Sequence, residues 1–409
     1  MASAPSPTSG KRRLLVLGGG VYQVPLIRRA REMGLETIVV TPQGPYPGIN
    51  LGHHHWDFDT TDETGILAAA RDFGIDAVVT TGTDVCLPAL GRLVDELGLC
   101  GPSAAAARKS ADKTLMKQAF REHGVPTADY EIVASIAAAT RAACRIGFPL
   151  MVKASDSSGS RGVTKVDSPA FLEAAWQRAL AVSRNQRILV EQYLNGVEFG
   201  AQAFVTGDKV VAVFPHNDTV TPPPFQTPVG HSMPLEFSPE RTEELWSIVS
   251  RAVSALGIRN AVCNVDLMLA DGRMNVLEIG ARMGATCLPE NVAVFAGFDV
   301  YEHLIRLALG ESPEIKTTRN QPNAALLLRA QTSGIVREIR LPDEVAMHPA
   351  VVELGVDVKP GDRVRRFQVG PDRIGHIVVK GTDASDAERL ATKLADGIVL
   401  QVDFTKASE

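Results

Sequence analysis

Residues 264–282, NVDLMLADGRMNVLEIGAR, place the tightest constraint on this chain. Two runs of alternating character flank Asp271-Gly272-Arg273, which is turn chemistry, and together they predict an antiparallel hairpin. With those three residues as the loop, Asp266 faces Glu278 and Asn264 faces Gly280. Period-2 alternation puts Val265, Leu267, Leu269, Leu277 and Ile279 on one face. The other face carries Asn264, Asp266, Glu278 and, near its end, Arg282. Two carboxylates opposed across a ladder repel each other unless a positive charge lies between them. Either this is a solvated face with two incidental acids, or it holds a cation. Hard divalent ions take carboxylate oxygens, and Mg²⁺ often uses one or two of them together with substrate phosphates.

The chain has 409 residues, so about two or three domains are expected. Hydrophobic residues at 45% and charged residues at 22% suit a soluble chain with sizeable cores. A net charge of -5 argues against nucleic acid as a main partner. No apolar run approaches the roughly 18 residues of a membrane span, so no membrane partner is expected. The opening MASAPSPTSGKRR lacks the apolar segment of a signal peptide, and residues 1–11 read as a disordered tail. Five cysteines without CxxC spacing (Cys86, Cys100, Cys144, Cys263, Cys287) fit free thiols in a cytoplasmic protein.

From Arg12 to about residue 105 strands and helices alternate, the pattern of parallel βαβ units in a doubly wound sheet. Gly18-Gly19-Gly20 ends the first strand but lacks the spacing of a dinucleotide fingerprint. Thr80, Thr81, Thr83 and Asp84 end another strand at the rim where such sheets bind ligands. His53-His54-His55 reads as a surface loop. ARKSADKTLMKQAFREHG then reads as one helix, stopped by Gly124 and Pro126. After the strand FPLMVKA comes SDSSGSRGV, with four serines and two glycines, whose N–H and hydroxyl groups can close over phosphates. It is not a Walker loop, since GxxxxGK[ST] is absent. NDTVTPPPFQTPVGHSMPLEFSPE, with six prolines, reads as a long loop.

Taken in order, these segments resemble the ATP-grasp ligases over essentially the whole chain. The resemblance implies an α/β architecture with a Rossmann-like unit at 12–105. An ATP-grasp fold follows at 106–315, its lid at about 125–192, and then a small α+β domain at 316–409. Lys113, after Asp112, and Lys153, in FPLMVKA, look like the family's two nucleotide lysines. Ser157, Ser158, Gly159, Ser160 and Gly162 look like its phosphate lid. LVEQYLNGVEF resembles the hinge, where Glu191 and the backbone of Gln192, Tyr193 and Leu194 would hold adenine and Glu198 the ribose. Asp266 and Glu278 fall at the family's magnesium carboxylates, and Arg282 at its arginine for the acyl phosphate or substrate carboxylate. The family often reads E-x-N-x-R where this chain has Glu278-Ile279-Gly280-Ala281-Arg282, so Gly280 offers no ligand. That variant, with MGATCLPE after it and HSMP at His231, is similar to the L-amino-acid ligase branch, and His231 would line the acceptor site.

The implied chemistry is phosphorylation of a carboxylate by ATP with Mg²⁺ (or Mn²⁺), then attack by an amine to give an amide, ADP and phosphate. Lys113 and Lys153 would spread charge on the transferring phosphoryl group, and Arg282 would stabilise the acyl oxygens. The partners implied are a small carboxylate and an amine, with a homodimer as a possible assembly. Rival readings are an ATP-dependent carboxylase, a purine-pathway ligase, and a nucleotide-binding module without turnover. For each lysine the plain alternative is a solvated surface charge, and for Arg282 an ion pair with Glu278.

Overall fold

A computed structural model describes residues 10–157, 161–222 and 227–403. The first alternating segment builds a parallel sheet in the order His54–Trp56, Glu36–Val40, Arg13–Leu17, Ala77–Val79. Its central strands are largely apolar, as LLVL and IVV, because both faces are covered. Leu15 and Leu17 pack with Ile66 and Leu90 from the helices Glu63–Phe73 and Leu87–Leu97. Leu14 and Val16 pack on the other side with Leu26 and with Ile305, which lies far along the chain in Val300–Ala308. The histidine run is not a loop, since His54 and His55 belong to the edge strand. Each ring takes a different partner: His53 Thr37, His54 Glu36, and His55 the Thr41 carbonyl.

The segment read as one helix forms two, Ala104–Ala111 and Lys113–Glu122. Asp112 separates them in extended conformation, its carboxylate accepting from the backbone N–H of Thr114 (2.7 Å) and Leu115 (3.4 Å). An aspartate that caps the second helix cannot also continue the first. The break puts Lys113 at a helix start rather than mid-helix.

A four-stranded antiparallel sheet follows, in the order Tyr130–Val133, Ile188–Gln192, Leu150–Ala154, Val163–Val166. Helices Ile136–Ile146 and Leu172–Leu180 cover it around Val152, Trp176 and Val190. The largest sheet has eight strands. Arg273–Gly280, Ala261–Ala270, Gly196–Thr206, Lys209–Val220 and Pro228–Met233 lie side by side, continued by Asn323–Arg329, Arg373–Lys380 and Val351–Val356. Ten residues of the supposed proline-rich loop, Asn217–Val220 and Pro228–Met233, are therefore sheet. Pro228 opens its strand, a position that tolerates proline, and Pro234 follows its end. Because Pro228–Met233 pairs with both Lys209–Val220 and Asn323–Arg329, the C-terminal strands extend the same sheet. A three-stranded sheet and the helix Ala384–Asp396 complete the C-terminal core. All five cysteines are free, and no described helix is long and apolar enough to cross a membrane.

The hairpin forms, with a correction. Its turn has two residues, Asp271 (φ 49°) and Gly272 (φ 72°), and Ala270 pairs with Arg273. Positive φ at both central positions is what a tight hairpin turn demands. A two-residue turn alone would slip the register by one and part Asp266 from Glu278. Pairing instead runs Leu267 with Val276 and then Asp266 with Glu278, so Leu277 is the extra residue of a β-bulge. Met274 and Val276 take the buried face below the bulge and Ile279 takes it above, while Leu277 is only half-buried.

Asp112→Ala should lower unfolding stability by about 1 kcal/mol, the usual worth of an N-cap. Urea denaturation checks it, and an unchanged midpoint would show that the two helices divide for another reason.

Candidate active site

The polar face of the hairpin and of the strand Gly196–Thr206 beside it forms the floor of the site. Asp266 and Glu278 are directly opposed. The Lys113 ammonium lies 3.1 Å from Glu278 and 2.7 Å from the Ser157 carbonyl, so it ties the helix start to the first residues of the serine-rich segment. Among the described residues, Asp266 receives only the Asn264 amide, at 2.8 Å. Burial, then the charges of Glu278, Asp218 and Glu198, push its carboxyl well above the usual range. Acidic oxygens with too little positive charge among them are a donor set that suits Mg²⁺.

Lys153 does not stand free. Glu191 is fully buried between two lysines, with Lys117 at 2.7 Å and Lys153 at 2.9 Å. Burial alone would raise its carboxyl, but the two ammoniums outweigh it and hold the group down at about 2. Glu191 is thus committed to organising lysines, which is a different task from the adenine contact expected of its side chain. Burial likewise works against the charge on Lys153, and Glu191, Glu278 and Glu198 overcome it. Lys117 was missed in the sequence. Its one signal was a lysine four residues after Lys113 within the apolar stripe of Met116 and Phe120.

Arg282 meets Asp84, from the rim of the first sheet, at 2.6 Å, rather than the expected alternative Glu278. The rim docks here through a Thr81–Met283 bridge and the Gly82 N–H to the Met283 carbonyl at 3.0 Å. A Cβ at position 280 would lie 2.6 Å from Asp84 Oδ1 and 3.3 Å from Arg282 Cζ. The absent side chain at Gly280 is therefore the space that Asp84 fills. Asp84 Oδ1 is buried without a hydrogen bond among the described residues. The three-glycine turn is tied to this rim by Gln23, which accepts from Gly20 N–H and donates to the Thr81 carbonyl.

Ser158, Gly159 and Ser160 lie outside the described residues. Gly162 accepts from Ala154 N–H at 3.0 Å. In the hinge, Gln192 N–H donates to the Asp129 carbonyl, Leu194 is half-buried, and the Tyr193 ring lies 4.4 Å from Lys165 Nζ. Glu198 is exposed on its strand, and desolvation, then the charge of Asp218, raises its carboxyl. His231 is buried in the sheet, not in a loop, and pairs across strands with Asp218, its Nδ1 2.6 Å from Oδ1. Burial lowers its pKa although Asp218 pulls the other way. Asp218, in turn, is held far below the carboxylate range, since His216 and His231 outweigh its burial. Neither Asp218 nor His216 stood out in the sequence.

The chain matches two family models, Carbamoyl-phosphate synthase L chain, ATP binding domain, over residues 112–316, and L-amino acid ligase C-terminal domain 2, over residues 326–403. It is 24% identical to the formate-dependent phosphoribosylglycinamide formyltransferase of Bacillus subtilis, covering 95% of this chain and 99% of that one. Among solved structures it is similar to a phosphoribosylglycinamide synthetase from Anaerococcus prevotii (TM-score 0.81, 28% identity, covering 96% and 100% of the two chains). It also shares the fold of an L-amino acid ligase from Bacillus licheniformis (TM-score 0.83, 21% identity, covering 97% and 100%).

Two predictions arise from this geometry. Glu191→Gln leaves two buried ammoniums without their anion and should cost about 3–5 kcal/mol. Because the Glu191 pKa is depressed to about 2 from 4.5, its contribution is complete above 4.5 and fades as pH falls through that window. Urea midpoints of parent and variant should therefore converge below pH 4.5, and a pH-independent gap would contradict the ion-pair account. Gly280→Asn should destabilise by about 1–3 kcal/mol through overpacking. Asp84→Ala should also destabilise, by unpairing Arg282, while the double variant should lose less than the sum of the two. Strict additivity would mean that Asp84 does not occupy the Gly280 space.

Proposed function

The chain belongs to the ATP-grasp ligases, and on that footing we propose that it joins the carboxylate of an amino acid or similar small acid to an amine, forming ADP and phosphate. The observation that carries this is the opposed Asp266–Glu278 pair with Lys113, the Lys153–Glu191–Lys117 group and Arg282 arranged around it. The match of residues 326–403 to the amino acid ligase model supports amino acid substrates.

Asp266 and Glu278 would hold Mg²⁺, which when bound supplies charge neutralisation for the phosphates. Lys153, kept charged by Glu191, and Lys113, free to leave Glu278, would lie against the transferring phosphoryl oxygens. Work of this kind is positioning and electrostatics, with little covalent chemistry for the protein to do. The serine-rich segment would cover the phosphates, the backbone of Gln192 to Leu194 would receive adenine, and Glu198 the ribose. Arg282, held in orientation by Asp84, would present its planar fork to the acyl oxygens. His231 would line the acceptor side and take the proton released by the attacking amine. Its lowered pKa keeps the imidazole neutral, as a base must be.

Phosphate release measured across a matrix of amino acids, small acids and amines, with product masses, tests the proposal. ADP should form in step with an amide, and AMP in step with product would sink the mechanism. Stimulation by formate or bicarbonate alone would favour the formyltransferase-like or carboxylase reading. His231→Ala should raise the KM for the amine far more than that for ATP. The acid limb of kcat/KM for the amine should lie below 6.5, the ordinary histidine value, and should vanish in the variant. An effect confined to ATP would remove His231 from the acceptor site.

A further inference from the structure

His216, Asp218, His231 and Gln202 form a second polar cluster on the floor, one that phosphoryl transfer does not require. Asp218 pairs with His231, and His216 pairs with Gly200. A Cβ at 200 would lie 2.1 Å from His216 Cε1, so only glycine leaves room for the ring. Asp218 Oδ1 meets Nδ1 of His231 at 2.6 Å and Nδ1 of His216 at 2.9 Å, and the two rings touch edge to face, 5.0 Å apart. Two imidazoles and a carboxylate, their ligand atoms within 4.8 Å of one another, are also the components of a metal site. Whether protons or an ion join them depends on which nitrogen of His216 carries hydrogen.

Gln202 answers this. Its Oε1 accepts from the Gly284 N–H at 2.9 Å, which fixes the amide orientation. Its Nε2 then lies 2.7 Å from Asn264 Oδ1 and 3.1 Å from His216 Nε2. An amide nitrogen only donates, so His216 Nε2 is the acceptor and the ring proton sits on Nδ1, facing Asp218. A metal on Nδ1 would force hydrogen onto Nε2, directly against the Gln202 N–H. The order of donors continues without conflict through Asn264 Nδ2 to Asp266 Oδ1 at 2.8 Å. His231 meets Asp218 through Nδ1–H, which leaves Nε2 as its lone-pair nitrogen.

We propose that Gln202 is a positioning residue which makes the two histidines unequal: it bars a second proton from His216, so that only His231 can accept one on Asp218. This rests on the acceptor-site reading of His231. As the amine nitrogen bonds to the acyl carbon, the C–O bond to phosphate breaks and its electron pair leaves with phosphate. The nitrogen's proton passes to Nε2 of His231, and the imidazolium is held through Nδ1–H by Asp218. Were His216 able to take the proton instead, it would neutralise Asp218 and weaken the base beside it. His231 is faced by Asp218, by the His216 ring and by the Asn217 backbone; His216 is faced by Gln202, Asp218 and His231.

Histidine-selective ¹⁵N NMR of the full chain tests the proposal. In the unsubstituted protein His216 should carry its ring proton on Nδ1, with Nε2 bare toward Gln202. A proton on His216 Nε2, or a stoichiometric Zn²⁺ complex through both Nδ1 atoms, overturns the proposal without any variant having to fold. Gln202→Met removes the amide at similar volume. There His216 should titrate, and kcat/KM for the amine should fall on the order of tenfold, part of the 10²–10⁴-fold that a positioned base supplies. Gln202→Glu should make His216 an imidazolium at neutral pH. If His216 responds in this way while the amine kinetics do not change, the acceptor-site reading of His231 fails and the proposal with it, although the tautomer assignment stands. If the kinetics change while His216 keeps its tautomer in Gln202→Met, Gln202 acts by some other route and the proposal alone fails.

Discussion

The site depends on one awkward contact, two carboxylates facing each other across a hairpin. On a bare ladder such a pair costs roughly 0.2–1 kcal/mol, yet the fold takes trouble to keep it. The two-residue turn at Asp271-Gly272 and the bulge at Leu277 shift the register in opposite senses and cancel at Asp266 and Glu278. Around that pair the structure distributes positive charge unevenly. Lys113 reaches Glu278, while Asp266 has only an amide among the described residues. The remaining deficit of positive charge is what a metal and a nucleotide can satisfy.

The other charged groups follow from the need to keep cations close to this pair without letting them collapse onto it. Glu191 gathers Lys117 and Lys153 away from the carboxylates, and Asp84 does the same for Arg282. Buried ion pairs of this sort add little net stability relative to apolar packing, but they fix where a charge stands. Asp84 comes from the first sheet and Arg282 from the strand end after the hairpin. Docking the Rossmann-like unit is therefore part of building the active site, and the core that joins Leu14 and Val16 to Ile305 holds the two together.

The side proposed for the acceptor is built differently, from hydrogen-bond direction rather than charge balance. Asp218, His216, Gln202 and Asn264 run as an ordered chain of donors and acceptors on adjacent strands, and Asp266 lies at its end. That chain physically connects the region assigned to the amine with the region assigned to phosphoryl transfer, on one face of one sheet.

By itself the sequence determined what depends on period and on turn chemistry. The alternation from Arg12 onward gave the parallel sheet, and the runs around Asp271 gave the hairpin and its polar face. The opposition of Asp266 and Glu278 was also legible, although the assumed three-residue turn reached it without the bulge. Where local signals conflicted, reading failed. Asp112 looked like one more helical residue but capped a new helix, and six prolines hid the strand Pro228–Met233. What only the tertiary structure decided are pairings that no local pattern announces, even where a partner stands out in the sequence. Asp84 in the space over Gly280, Lys117 on Glu191, and Gln202 on His216 are 196, 74 and 14 residues apart. Strand order and domain docking, not sequence neighbourhood, bring such side chains within hydrogen-bond reach, and that is why the sequence could name Asp84, Glu191, Lys153 and Arg282 but not which of them hold one another in place.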